Sequence, residues 1–145
     1  MQVINTAFFK VEINEERGEI IIKYSKNAQK GAHNYLLTLF VQKKMEEGVK
    51  DINADGVDIQ GMNKSLPLTY GSYRADCVYY QNNILHVCEL KMPSDLGTDR
   101  TAKQLERMRM INARKVLIVP EHAKKDAEDI LKFLRMQSDF VIEVI

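Results

Sequence analysis

The sequence has little of several features that define whole classes of protein. Its 145 residues include only two cysteines, Cys77 and Cys88, which is too few for a disulfide framework, a four-cysteine zinc site or an iron–sulfur cluster within one chain. No stretch approaches the ~20 apolar residues of a membrane-spanning helix, and the first residues lack the basic and apolar segments of a secretion signal. We therefore expect a protein with no membrane segment and an intracellular, cytoplasmic location.

Linkers, repeats and an excess of one charge are also absent. The chain has no tract rich in Pro, Gly or Ser, and its 21 basic and 20 acidic residues leave a formal net charge of +1. Its composition, 45% hydrophobic and 28% charged, is typical of an ordinary globular protein. A chain of this length buries a core but is short for two ordinary domains. We expect a single domain over residues 1–145.

The hydrophobic periodicity predicts an α/β protein. A β-hairpin is expected at the N-terminus, with Gly18 in its turn, and Gly48 is expected to end the first helix. Residues 57–62 are a further candidate strand. In chain order, the predicted elements are a hairpin over 2–24, a helix over 27–47, strands over 74–80 and 84–91, a helix over 98–113, a strand over 115–120, a helix over 123–136 and a strand over 140–145. This order favours a mixed β-sheet flanked by helices.

The strand over residues 84–91, "ILHVCELK", ends with an acid and a base on one face, since positions two apart in a strand share a face. If Asn82 and Asn83 form a two-residue turn with the preceding strand, Asp76 falls opposite Glu89. A turn one residue longer would misalign the two acids. Like charges at such a pair are destabilising unless a cation lies between them, and oxygen ligands suit Mg²⁺ or Mn²⁺. Lys91 would then stand beside the metal, although a Glu and a Lys at this spacing are also typical of a solvated edge pair.

These residues fit a known pattern. "RAD" is followed after twelve residues by "ELK", and a helix carrying Gln104 comes next. Over roughly residues 27–120 the chain resembles the PD-(D/E)XK nuclease superfamily, with Asp76, Glu89 and Lys91 at the motif positions and Ala75 where a proline is usual. The resemblance implies a restriction-endonuclease-like fold and Mg²⁺- or Mn²⁺-dependent cleavage of phosphodiester bonds in DNA. It implies metal binding by Asp76, Glu89 and the Leu90 carbonyl, with Lys91 and Gln104 assisting catalysis.

Two branches of the superfamily fit in part. In branches that resemble RecB and Cas4, a histidine on the first helix is a further metal ligand, and His33 is the candidate. A histidine packed at a helix face is the alternative. The Cas4 cysteines are missing, and Met108 stands where RecB-like chains carry a tyrosine. The archaeal Holliday-junction resolvases place a glutamate early on the first helix, whereas Glu46 and Glu47 come at its end here.

The candidate nucleic-acid contacts are local groups of basic residues. Residues 97–115 contain six basic residues and only two acidic ones, and Lys30 belongs to a second basic group near the first helix. Exposed lysines and arginines of this kind neutralise phosphates, although a solvated helix face is an alternative explanation. Lys103, Arg107 and Arg114 are expected to lie near one helical face. The residues expected to contact DNA are Arg100, Lys103, Arg107, Arg114 and Lys30.

The cysteines are expected to face away from the two acids as small reduced core residues; a cross-strand disulfide is the alternative.

The sequence as a whole predicts a metal-dependent DNA nuclease. Two other functions remain open, a Holliday-junction resolvase acting as a homodimer and a catalytically silent nucleic-acid-binding module of the same fold.

Overall fold

Three antiparallel strands form the N-terminal sheet of this computed structural model, which describes all 145 residues. The strands are β1 (Gln2–Asn5), β2 (Phe9–Asn14) and β3 (Glu19–Tyr24), paired in the order β1-β2-β3. The predicted hairpin is therefore one strand short, because the first β-prone run breaks at Thr6. The Thr6 hydroxyl accepts the Phe9 N–H at 2.8 Å and closes a turn. Gly18 has the expected positive φ of 64°.

The first helix, α1 (Lys26–Glu46), ends as the sequence predicts. Gly48 has a φ of 94°, a conformation that glycine adopts without steric cost. The Gly48 N–H donates to the Met45 carbonyl and the Val49 N–H to the Lys44 carbonyl, both at 3.0 Å. These two bonds form a Schellman motif, which satisfies carbonyls that the helix end leaves open.

A five-stranded mixed sheet organises the rest of the chain. Its spatial order is β10-β9-β8-β7-β4, with parallel pairing among β8, β9 and β10 and antiparallel pairing of β7 with both β8 and β4. The elements after α1 are β4 (Ile52–Ala54), β5 (Thr69–Tyr70), β6 (Tyr73–Arg74), β7 (Cys77–Gln81), β8 (Ile84–Leu90), α2 (Pro93–Leu96), α3 (Asp99–Arg109), β9 (Arg114–Val119), a 3₁₀ turn (Glu121–Ala123), α4 (Lys124–Phe133) and β10 (Phe140–Val144). The predicted strand over residues 57–62 is wrong: that segment pairs with no strand, and β4 takes the place beside β7.

The five-stranded sheet has an apolar core on each face. Alternate residues of β8 point to opposite sides, so that Val87 belongs to one core and Cys88 to the other. The Val87 core includes Leu105 from α3 and Leu131 from α4. The Cys88 core includes Phe40 from α1. The predicted α/β class, a mixed sheet flanked by helices, is confirmed.

A buried lysine joins α1 to the last strand. Lys44 is only 5% exposed, and its ammonium lies 3.0 Å from Glu143 and 3.2 Å from Glu47. It also lies over the rings of Phe40 and Tyr79, 5.4 and 5.7 Å from their centroids. The carboxylates raise the pKa of Lys44 despite its desolvation, so the lysine stays charged. The sequence pattern gave no sign of this interaction.

The chain divides into two compact units, residues 1–35 and residues 36–145. The expectation of one domain over residues 1–145 stays a prediction. None of the helices combines the length and the apolar character that crossing a bilayer requires.

Candidate active site

The hairpin of β7 and β8 sets the geometry of the candidate site. Asn82 and Asn83 have φ values of 55° and 63°, as a two-residue type I′ turn requires. Cys77 therefore pairs with Cys88, as predicted. The pairing ends there, however, and Asp76 lies in a bend just before β7 rather than in the ladder opposite Glu89.

The Asp76 side chain explains why the ladder stops. The Asp76 N–H donates to the Cys88 carbonyl at 3.1 Å, and Asp76 Oδ2 accepts the Leu90 N–H at 2.8 Å. A short acidic side chain can replace a backbone acceptor in this way, and a bond to a carboxylate is stronger than a neutral one. The predicted face-to-face pairing is corrected accordingly: the Asp76 carboxylate is fixed at the end of β8 through Leu90.

Glu89 is buried and held from two sides. It is only 5% exposed; its Oε2 accepts the Tyr73 hydroxyl at 2.5 Å, and its Oε1 lies 3.5 Å from the Lys91 ammonium. Burial, with the adjacent negative charge of Glu89, raises the pKa of Tyr73 far above its ordinary value. Tyr73 therefore remains a hydrogen-bond donor to Glu89 over the whole working pH range.

Lys91 connects the strand to helix α3. It is only 8% exposed, and its ammonium donates to the side-chain oxygen of Gln104 on α3. The Lys91 backbone N–H donates to the Ile118 carbonyl of β9 at 2.9 Å. This bond fixes the backbone from which the Lys91 side chain extends. Since Glu89 and Lys91 are both buried, they do not form the solvated edge pair that the spacing alone allowed.

The donor set of this site fits a small hard cation. Asp76 and Glu89 supply carboxylate oxygens, and Leu90, the residue after Glu89, adds a backbone carbonyl. No group of three or more His, Cys, Asp or Glu side chains comes together in the protein. Two carboxylates are nevertheless the complement with which proteins commonly bind Mg²⁺, because water and substrate phosphates complete its octahedron. A site for Zn²⁺ would need more nitrogen or sulfur ligands than are present.

His33 lies on α1 in the unit formed by residues 1–35. It is half-buried, and its Nδ1 lies 3.3 Å from the amide oxygen of Asn34. This contact accounts for one ring nitrogen by a local hydrogen bond, as expected for a histidine at a helix face. The role of His33 as a metal ligand stays a prediction.

The basic residues predicted to contact nucleic acid are exposed. One of them does not lie on the predicted helical face. Arg100, Lys103 and Arg107 are exposed on α3. That helix ends at Arg109, and a turn over residues 110–113 separates it from Arg114, the exposed first residue of β9. The prediction that Arg114 continues the helical face is therefore wrong, because the helix stops five residues before it.

A second basic feature lies in the unit of residues 1–35. Lys30 is exposed on α1. Nearby in sequence, an open cleft of about 530 Å³ is lined by three lysines, Lys10, Lys23 and Lys26, together with amide and hydroxyl groups. Three ammonium groups around one cleft are suited to phosphate.

Both cysteines are buried and free. They are register neighbours across β7 and β8, facing the core opposite to Glu89. Burial raises the pKa of the Cys88 thiol, so the thiol is a poor nucleophile. The prediction that both are small core residues is confirmed, and the two thiols are not bonded to each other in the structure.

Tyr73 is the residue of this site that the sequence did not reveal. The strand predicted over residues 74–80 is two strands, β6 and β7, broken at Ala75 and Asp76. The break turns Tyr73 toward Glu89. A tyrosine just before "RAD" carries no periodic signal, since its position depends on that break.

No protein-family model, curated protein or solved structure matches this chain.

Proposed function

We propose that this chain is a Mg²⁺- or Mn²⁺-dependent nuclease that hydrolyses phosphodiester bonds in DNA, with a restriction-endonuclease-like fold. The observation that carries the proposal is the cluster of Asp76, Glu89, Lys91 and Gln104. These residues come from three separate segments, and all four belong to the motif that the sequence predicts. A purely structural role is a poor explanation, because burying an ion pair costs several kcal/mol per ion that apolar residues would avoid.

The roles follow from the contacts. Asp76 and Glu89 would hold the metal, with the Leu90 carbonyl as a third oxygen. A bound Mg²⁺ or Mn²⁺ supplies charge stabilisation at the phosphate and lowers the pKa of a bound water. Glu89 is kept in position by Tyr73, whose hydroxyl donates to it.

Lys91 would stabilise negative charge that develops on a phosphate oxygen, or orient the attacking water. Its burial strengthens such an interaction, because a fixed charge in a site of low dielectric needs no reorganisation during the reaction. Gln104 holds the ammonium by a hydrogen bond, so that Lys91 need not move to meet the substrate. Gln104 therefore acts as a positioning residue for the Lys91 ammonium.

The substrate contacts are proposed at the exposed basic residues. Arg100, Lys103 and Arg107 lie on the helix that also carries Gln104. Phosphates bound along this helix would lie near the residue that holds Lys91. The exposed Arg114 and Lys30 are proposed as further phosphate contacts.

The test is a panel of labelled substrates with the purified protein. Single-stranded DNA, duplex DNA, a four-way DNA junction and single-stranded RNA are each incubated with Mg²⁺, with Mn²⁺ and with EDTA. We expect metal-dependent cleavage of at least one DNA substrate and none with EDTA. Binding to DNA without cleavage under any condition would favour the silent binding module, and preferred symmetric cuts in the junction would favour a resolvase.

A further inference from the structure

The N-terminal sheet has one face that is almost entirely apolar. The register of β1, β2 and β3 places alternate residues on each side of the sheet. All four charged strand residues lie on one side. The other side, here called the apolar face, consists of Gln2, Ile4, Phe9, Val11, Ile13, Ile20, Ile22 and Tyr24.

The apolar face is open to solvent. Ile20, Ile22 and Tyr24 of β3 are 66%, 64% and 66% exposed. The rings of Phe9 and Tyr24 stack with their centroids 5.6 Å apart, yet both remain exposed. No residue of the unit 1–35 is buried, so this sheet has no core of its own. Small sheets gain stability by burying such a face.

We propose that the apolar face packs against the same face of a second copy of this chain, forming a two-fold symmetric dimer in solution. Two sheets packed in this way would lie about 10 Å apart, with their side chains interdigitated as in a β-sandwich. The surface is the same on both copies, as a two-fold interface requires. Burial in the dimer would give the unit the core that it lacks.

The chemistry of the face excludes a polyanion as its occupant. It carries no lysine or arginine, while Lys10 and Lys23 lie on the opposite side. Nucleic acid would therefore bind the charged side and leave the apolar face uncovered. An apolar surface without charge is best matched by another of the same kind, since neither then leaves a buried charge unpaired.

The exposed area also suits a dimer. The exposed side chains on this face are 42% to 66% exposed and contribute on the order of 500 Å². They are Ile4, Phe9, Ile20, Ile22 and Tyr24. A standard interface buries about 800 Å² on each partner. The apolar face alone would supply more than half of that area.

Neighbouring residues of β3 provide a matched test. Ile22 lies on the apolar face, whereas Ile21 lies on the charged side, and both are exposed. We expect sedimentation equilibrium at micromolar concentration, without DNA, to give twice the chain mass of 16.7 kDa for the wild type and for Ile21→Lys. Ile22→Lys should sediment at the single-chain mass, with at least a hundredfold weaker association.

Cross-linking gives a second readout that does not require a charged substitution. Because Cys77 and Cys88 are buried, a cysteine introduced on the sheet is the one accessible thiol. Ile22→Cys should form a covalent dimer with a short bismaleimide, and Ile21→Cys should not. A wild-type protein that is monomeric, a dimer that forms only when DNA is added, or equal behaviour of the two positions in both assays would overturn the proposal. None of these results depends on nuclease activity.

Discussion

Glu89 and Lys91 form a buried ion pair, which differs in its energetics from a pair on the surface. An exposed ion pair contributes only about 0–1 kcal/mol and would need no explanation. Here both side chains are below a tenth exposed, and each needs a partner, Tyr73 for Glu89 and Gln104 for Lys91. Burying these charges is costly, and that cost supports a role for the pair in the proposed site.

Asp76 should make the protein's stability depend on metal. A ligand that binds only the native state adds RT ln(1 + [L]/Kd), or about 2.7 kcal/mol at a hundred times Kd. Mg²⁺ or Mn²⁺ should therefore raise the melting temperature of the wild type, and Asp76→Ala should remove most of the increase. Asp129→Ala, at an exposed position on α4, is the control. Equal increases in wild type and Asp76→Ala would refute the proposed metal site.

A substitution of Tyr73 tests the hydrogen bond that holds Glu89 in position. Tyr73→Phe keeps the buried ring but removes the hydroxyl that donates to Glu89 Oε2. Hydrogen bonds to charged groups are worth about 1.5–3 kcal/mol, and we expect a loss of that size in the free energy of unfolding by urea. Tyr35→Phe, at an exposed position on α1, should change nothing. If the two variants unfold alike, the bond to Glu89 contributes no stability.

At the scale of elements, strong local signals explain what the sequence predicted well. The Asn82 and Asn83 turn set the pairing of Cys77 with Cys88, and Gly48 ended α1. The Thr98 hydroxyl accepts the Thr101 N–H and starts α3, in agreement with the helix start predicted at residue 98. In each case one or two residues fix the backbone locally, so no distant contact is needed to infer the structure.

The predictions that were wrong depended on distant or weak signals. A single hydroxyl, that of Thr6, divides the first β-prone run into two strands. Residues 57–62 have strand composition, but β4 pairs with β7 in their place. At the site, Asp76 lies outside the ladder, and its side chain accepts the Leu90 N–H. The motif residues could be selected from sequence, but their contacts could not.

The exposed face of α3 should bind DNA through phosphates. Replacing Lys103 and Arg107 together with alanine should weaken DNA binding and reduce the slope of log K against log salt by about two phosphate contacts. Both residues are exposed, so the fold should be unaffected. Changing Lys125 and Lys132 on α4 to alanine removes the same charge. If both double variants show the same salt slope, α3 is not the DNA-binding surface.

For the molecule as a whole, a net charge of +1 hides an uneven distribution. The segment around α3 carries six basic and two acidic residues, whereas residues 121–145 carry four basic and six acidic ones. An excess of basic residues beside the proposed site would raise the local concentration of a polyanion. If two copies pair through the apolar face, each dimer carries two such sites, which suits a substrate with two strands to cut.

The most direct test of the nuclease proposal compares cleavage and binding in Lys91→Ala. This variant keeps both proposed metal carboxylates and all exposed basic residues on α3. Single-turnover cleavage of the best substrate with Mn²⁺ should fall by about 10² to 10³, while DNA affinity measured with Ca²⁺ should stay close to that of the wild type. Lys125→Ala on α4 should cleave normally. Cleavage by Lys91→Ala at the wild-type rate would contradict the account, and so would a wild-type protein that cuts no DNA with either metal.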